Sequence, residues 1–184
     1  MDNDRIRKAV IDILEAIGED PDRPGLQGTP DRVARMYADI FGGDRNDVAE
    51  ILGTAHQLDY DEMVVVKDIS FYSMCEHHML PFFGVCHIAY LPDNKRIVGL
   101  SKLARIVDVF SRKLQIQEHF TTEIADAIMK HVRPKGVGVV VKARHLCMEM
   151  RGVRKPGAST VTSVVRGIFR SDIRTREEFL KLIE

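Results

Sequence analysis

The sequence predicts an α+β fold, an antiparallel sheet covered on one face by helices and preceded by a helical amino-terminal appendage. Three observations point there. Apolar residues recur at helical spacing up to about Leu52, at strand spacing from Met63 to Leu91, at helical spacing from Ser101 to Val132, and at strand spacing again from Gly136. The 184 residues are 45% hydrophobic and 29% charged, which suits one domain with a real core and excludes wholesale disorder. Finally, no internal repeat and no low-complexity tract interrupts the chain, so a solenoid or a tether is excluded.

The elements follow in order. Ile6, Ala9, Val10, Ile13, Leu14 and Ile17 form one helical stripe, with Asp4 as its expected cap and Gly18 as its stop. Thr29-Pro30 opens a second helix as cap and first-turn proline, carried on by Val33, Met36, Tyr37, Ile40 and Phe41 and ended by Gly42-Gly43. A short helical piece runs from Asp47 to Leu52, and the shift to β-rich composition sets the boundary: an appendage over 1–55 and a main domain over 56–184. Strands are expected over Met63–Ser73 and Gly84–Leu91 with Pro81 in the bend, and a third short one ends at Ile97-Val98. Ser101 is read as the cap of a helix whose Leu103, Ile106, Val107 and Phe110 make one stripe. A long helix follows over Gln117–Val132, stopped before Pro134, then strands over Gly136–Met148 and Thr160–Phe169 and a closing helix over Arg174–Ile183.

Charge narrows the function classes. Lys+Arg and Asp+Glu both total 27, so no global basic field advertises nucleic acid or a membrane surface, and any anion site must be local. No stretch approaches the roughly 18 apolar residues of a membrane span, and the start Met1-Asp2-Asn3-Asp4-Arg5 is acidic where a secretory signal is basic and then apolar, so the expected location is the cytoplasm. Three cysteines, Cys75, Cys86 and Cys147, fit thiol or metal chemistry better than a disulfide framework.

Cys75-Glu76-His77-His78 lies in a bend after a strand, and Cys-x-x-His is a spacing at which a thiolate and an imidazole close on one zinc. The plainer reading is a buried thiol beside two surface imidazoles. His145 and Cys147 follow in the later strand, where period two sends both to the same face. If that face meets the bend, Cys75, His78 and Cys147 make a three-ligand site with His145 and His77 beside it, and the open fourth position marks a catalytic zinc. Cys86 is the competitor, since as a fourth ligand it would close the site and make the zinc structural. Lys102 and Arg105, three residues apart at a helix amino end, are either an anion site or a solvated basic face. Glu118 either has a binding role or complements its helix dipole. Arg151, Arg154 and Lys155 supply positive charge close to Cys147.

Taken together, Cys75-Glu76-His77-His78, Gly99-Leu100-Ser101-Lys102, Gln115-Ile116-Gln117-Glu118, His145-Leu146-Cys147 with Arg151-Gly152, the segment Thr29–Tyr37 and the tail Arg174–Leu180 resemble the zinc-dependent GTP cyclohydrolase I family. His119-Phe120 and Cys86 depart from the family pattern outside the ligand set. The resemblance implies the tunnelling fold, assembled as a homodecamer of two pentamers with active sites at subunit interfaces. It implies conversion of GTP and water into 7,8-dihydroneopterin triphosphate and formate, the entry to folate-type or tetrahydrobiopterin pathways. Cys75, His78 and Cys147 would hold Zn2+. His145 would protonate guanine N7 with His77 assisting, and Ser101 would act in the later ribose rearrangement. Glu118 would accept both guanine N1 and N2 hydrogens, with Gln117 nearby. Lys102, Arg105 and Arg151 would meet the triphosphate, joined by Arg32 and Arg35 of the appendage. Two rivals remain: a purine- or pterin-binding module with a closed structural zinc, and another tunnelling-fold enzyme such as a nitrile reductase, which would need a nucleophilic cysteine and a reductant site.

Overall fold

The computed structural model of the chain describes residues 1–42, 47–53 and 55–184. They fall into two compact units, Met1–Gly42 and Gly43–Glu184. In the first, α1 (Asn3–Ala16) starts two residues earlier than expected, because Asp2 rather than Asp4 caps it, accepting the Arg5 N–H at 3.0 Å. Thr29 opens α2 (Thr29–Ile40) as a helical residue with Gly28 in the cap position and Pro30 in the first turn, where a missing N–H costs nothing. Arg7 bridges Asp4 and Asp31, tying α1 to α2. Gly43, half of the expected stop, lies outside the described residues.

The second unit runs α3 (Asp47–Gly53), β1 (Ala55–Gln57), β2 (Val64–Cys75), β3 (Pro81–Leu91), β4 (Arg96–Val98), α4 (Leu100–Ser111), β5 (Leu114–Gln115), α5 (Gln117–His131), β6 (Gly136–His145), α6 (Leu146–Glu149), β7 (Ser159–Gly167), α7 (Ile168–Ser171) and α8 (Ile173–Ile183). The compact units divide after Gly42, so α3, whose Val48 and Leu52 are buried in the core of this second unit, packs with the strands that follow it. The compositional shift marked the first strand, not the edge of the packing unit.

The main sheet has the order β5-β2-β3-β6-β7 and is antiparallel apart from the two-residue β5, which runs parallel to β2. A separate two-stranded ribbon pairs β1 with β4. The α4 and α5 stripes cover one face as expected: Leu103, Ile106, Phe120 and Ile124 are fully buried with Phe82, Ile88, Val139 and Val141 of the sheet. Each such side chain contributes about 1.5–3 kcal/mol. The closing helix α8 adds a smaller cluster from the opposite side, where Phe169 and Phe179 pack with Ala89 and Val140. Gly138 makes that possible, since a Cβ there would sit 2.8 Å from the Phe179 ring.

A bulge in β2 positions the site. Val66 pairs with Ile88 and Ile69 with Cys86, so Lys67 and Asp68 together oppose His87. Asp68 takes φ +60° and donates its N–H to His87 Nδ1 at 3.2 Å. Before the bulge, Val64 and Val66 face the helices; after it, Ile69, Phe71 and Cys75 do. Pro81 begins β3 and is not in the bend, which is the segment Glu76–Leu80.

Candidate functional site

Two chain segments converge on the end of the sheet where β2 stops. The bend after Cys75 is held on three sides by backbone hydrogen bonds: Cys75 N–H to Leu80 O (2.9 Å), Met79 N–H to Cys75 O (2.8 Å) and Glu76 N–H to Gln115 O (3.0 Å). That lock fixes where His77 and His78 emerge. On the other side β6 ends at His145, and Cys147 sits in the one-turn helix α6. The expectation that His145 and Cys147 share a strand face is thus corrected, because the chain has left extended geometry before Cys147. Helical rotation brings the thiol to the site all the same. Arg144 grips α6 through Glu149, with Nε to Oε1 at 2.8 Å and Nη2 to Oε2 at 2.6 Å.

Ligand atoms of Cys75, His78 and Cys147 all lie within 4.8 Å of one another. Cys75 is buried, Cys147 half-buried and His78 exposed, so the group opens toward solvent on one side. Burial and then the adjoining Cys75 thiol push the Cys147 thiol up, with Arg151 pulling the other way. A divalent cation relieves that strain by stabilising both thiolates, and two sulfurs with one imidazole suit zinc. The donor set fits the metal that the motif calls for. Cys86 is fully buried mid-β3, with its thiol pushed up by burial, and no fourth residue joins the group among the described residues. A closed structural site loses its candidate ligand.

His145 is half-buried beside this group. Its ring stacks on Phe82 with centroids 4.8 Å apart and planes 3° from parallel. Burial lowers its pKa and the Glu118 carboxylate works against that. His145 Nε2 meets Gln117 Oε1 at 2.8 Å. Gln117 itself is 1% exposed, and its amide nitrogen is taken by Val141 O, Thr160 O and Thr162 Oγ1. Its amide nitrogen therefore turns into the protein. Glu118 is exposed in the first turn of α5. His77 is exposed in the bend, its ring 6.4 Å from that of His78.

The positive residues divide. Arg151 Nη1 donates to His78 Nε2 at 2.8 Å, which places a guanidinium against the metal group. Lys102 is half-buried and Arg105 exposed on α4. Ser101 is exposed and does not cap that helix; Gly99 occupies the cap position. Arg32 and Arg35 are exposed on α2, in the other compact unit. Sequence reasoning missed Phe82 under the His145 ring and Thr162 behind Gln117. The second lies 45 positions from its partner, and its only trace is the period-two spacing with Thr160.

Among the described residues no helix is long and apolar enough to cross a membrane. A protein-family model described as GTP cyclohydrolase I matches residues 6–184. A GTP cyclohydrolase 1 from Thermoanaerobacter pseudethanolicus is 60% identical over 183 residues, covering 100% of this chain and 97% of that protein. The enzyme of the same name from Carboxydothermus hydrogenoformans is 55% identical, over 100% of this chain and 95% of its own. Among solved structures, the apo form of the archaeosine synthase QueF-Like aligns with 59% of this chain and 97% of its own at TM-score 0.48 and 16% identity.

Proposed function

Since this chain belongs to the GTP cyclohydrolase I family, we propose that Cys75, His78 and Cys147 hold zinc beside His145 as the working centre of the enzyme. The activity is that of a GTP cyclohydrolase, a hydrolase acting on GTP. The reaction opens the guanine imidazole ring with water, releases C8 as formate and closes 7,8-dihydroneopterin triphosphate, a precursor for folate-type or other pterin synthesis. The observation that carries this reading is the convergence of the three ligand atoms within 4.8 Å at one end of the sheet.

Bound there, zinc supplies Lewis acidity, the means of making a nucleophile from water near neutral pH. The chain does the rest. As C8 becomes tetrahedral, electron density collects on N7, and His145 delivers a proton to it, with His77 assisting. Glu118 accepts the N1 and N2 hydrogens of guanine in one bidentate contact, a donor pair that adenine lacks. Lys102, Arg105 and Arg151 neutralise the triphosphate. Ser101 serves the ribose rearrangement that precedes ring closure.

We assign the protein to a homodecamer of two pentamers in the tunnelling arrangement, with subunit interfaces completing the sites. Support comes from the sheet: β7 is an edge strand, with Val161 59% exposed, and Tyr72 on β2 is 74% exposed. Such edges and apolar side chains are ordinarily covered by a partner. Three cysteines without a disulfide suit the reducing cytoplasm.

Formate released per GTP, measured with zinc-loaded protein, tests the reading. Treatment with a chelator is expected to abolish release and added Zn2+ to restore it; chelator-resistant turnover would remove the metal from the reaction. Glu118→Gln is expected to raise KM for GTP or cut kcat/KM by about 10²-fold with zinc content unchanged, since an amide presents a donor where two donors need acceptors. Unaltered kinetics would return Glu118 to the helix dipole.

A further inference from the structure

We propose that Gln117 is a positioning residue that holds His145 as its Nε2–H tautomer and in one ring orientation. The proposal rests on the reading of His145 as the proton donor, and adds to it which tautomer the ring keeps and what enforces that choice.

The argument starts from two groups that can only accept. Val141 O and Thr160 O are backbone carbonyls, and the side-chain nitrogen of Gln117 lies 3.0 Å from the first and 3.1 Å from the second. Turning the amide over would set an oxygen against both, so the NH2 group must face them. The hydroxyls agree. Thr121 Oγ1 donates to the Gln117 backbone carbonyl at 2.6 Å, which commits its hydrogen. Thr162 must then donate across the 2.6 Å contact to Thr121, leaving the Thr162 oxygen to accept from Gln117 Nε2 at 3.2 Å. The two amide hydrogens are shared among three acceptors, and none of the three can take the place of the NH2 group as donor to the others. Gln117 Oε1 is consequently an acceptor aimed at His145, and the ring nitrogen 2.8 Å away must carry a hydrogen.

The consequence is chemical. With Nε2–H committed to Gln117, Nδ1 carries no hydrogen in the neutral ring and lies on the ring edge pointing away from the amide. Phe82 holds the ring plane by stacking at 4.8 Å, so the amide hydrogen bond and the stack together define both tautomer and orientation. A wrong tautomer is costly where a histidine moves a proton in the transition state, and a misplacement of about 1 Å costs on the order of 10²-fold.

Nitrogen-15 spectra of histidine-labelled, zinc-loaded protein, recorded where the ring is neutral and assigned with a His145 variant, read the tautomer without any substitution of Gln117. The expected spectrum shows His145 with a protonated Nε2 and a bare Nδ1. An Nδ1–H signal or a mixture of tautomers in the wild-type protein would overturn the proposal. Gln117→Met keeps the length and removes both polar ends. It is expected to mix the tautomers and lower kcat by about 10–100-fold, with KM for GTP within about twofold of wild type. A raised KM with an unchanged kcat and an unchanged His145 spectrum would instead make Gln117 a base-binding residue. A lowered melting temperature alone, with tautomer and kcat intact, would make it structural. If His145→Ala left formate release untouched, the proton-donor reading would fail, while the spectrum would still report whether Gln117 holds the ring.

Discussion

Cys147→Ser loses its zinc and its turnover together. A hydroxyl is a far poorer zinc ligand than a thiolate, and among the described residues the group offers three donors and no substitute. Loss of a supporting residue around a metal costs about 10–100-fold in affinity, and removal of a direct ligand is expected to exceed that. Metal analysis after gel filtration, beside formate release from GTP, measures both losses. A variant that keeps stoichiometric zinc and near-normal formate release would place the metal elsewhere. The fold should survive, since Cys147 is half-buried in a one-turn helix that Arg144 and Glu149 hold independently.

His145→Ala separates proton delivery from metal binding. The ring stacks on Phe82 and bonds to Gln117, and it lies outside the three-residue ligand group. The variant is expected to retain zinc and to bind GTP, yet to release formate about 10²- to 10⁴-fold more slowly, the usual scale of general acid catalysis. Zinc loss in His145→Ala together with zinc retention in His78→Ala would show the two histidines exchanged.

The contrast between these residues shows what the sequence carried. Cys75 and His78 were legible because their spacing is a local property of one bend, and the α4 stripe because helical period survives any packing. The β2–β3 pair was equally plain from its β-branched runs. Cys147 was placed in the right cluster through the wrong geometry: strand alternation was extended two residues past its end, where α6 takes over. No glycine, proline or capping side chain in Arg144-His145-Leu146-Cys147-Met148-Glu149 marks that change, and the Arg144–Glu149 pair that spans it becomes visible only in the structure. The inward turn of the Gln117 amide was hidden for a related reason. A glutamine beside a candidate binding carboxylate reads as polar surface, and only the distant Val141, Thr160 and Thr162 show that it points inward. That α3 packs with the second unit was not legible, because burial of Val48 and Leu52 is a tertiary fact.

The extra residue in β2 has a consequence for which changes in chain length this protein tolerates. From Val64 to Cys75 the strand behaves as two reading frames joined at Lys67-Asp68, the first counting even positions inward and the second odd. A one-residue deletion at that junction would bring the two into a single frame. Val64, Val66, Ile69, Phe71 and Cys75 would then all keep the helix-facing side, whereas a one-residue deletion between Phe71 and Cys75 has no bulge to absorb it and would carry the thiol to the far face of the sheet, out of reach of His78 and Cys147. The metal site is thus specified by a count as well as by its ligands. A deletion is therefore absorbed at Lys67-Asp68, but between Phe71 and Cys75 it is constrained as tightly as substitution of the cysteine itself.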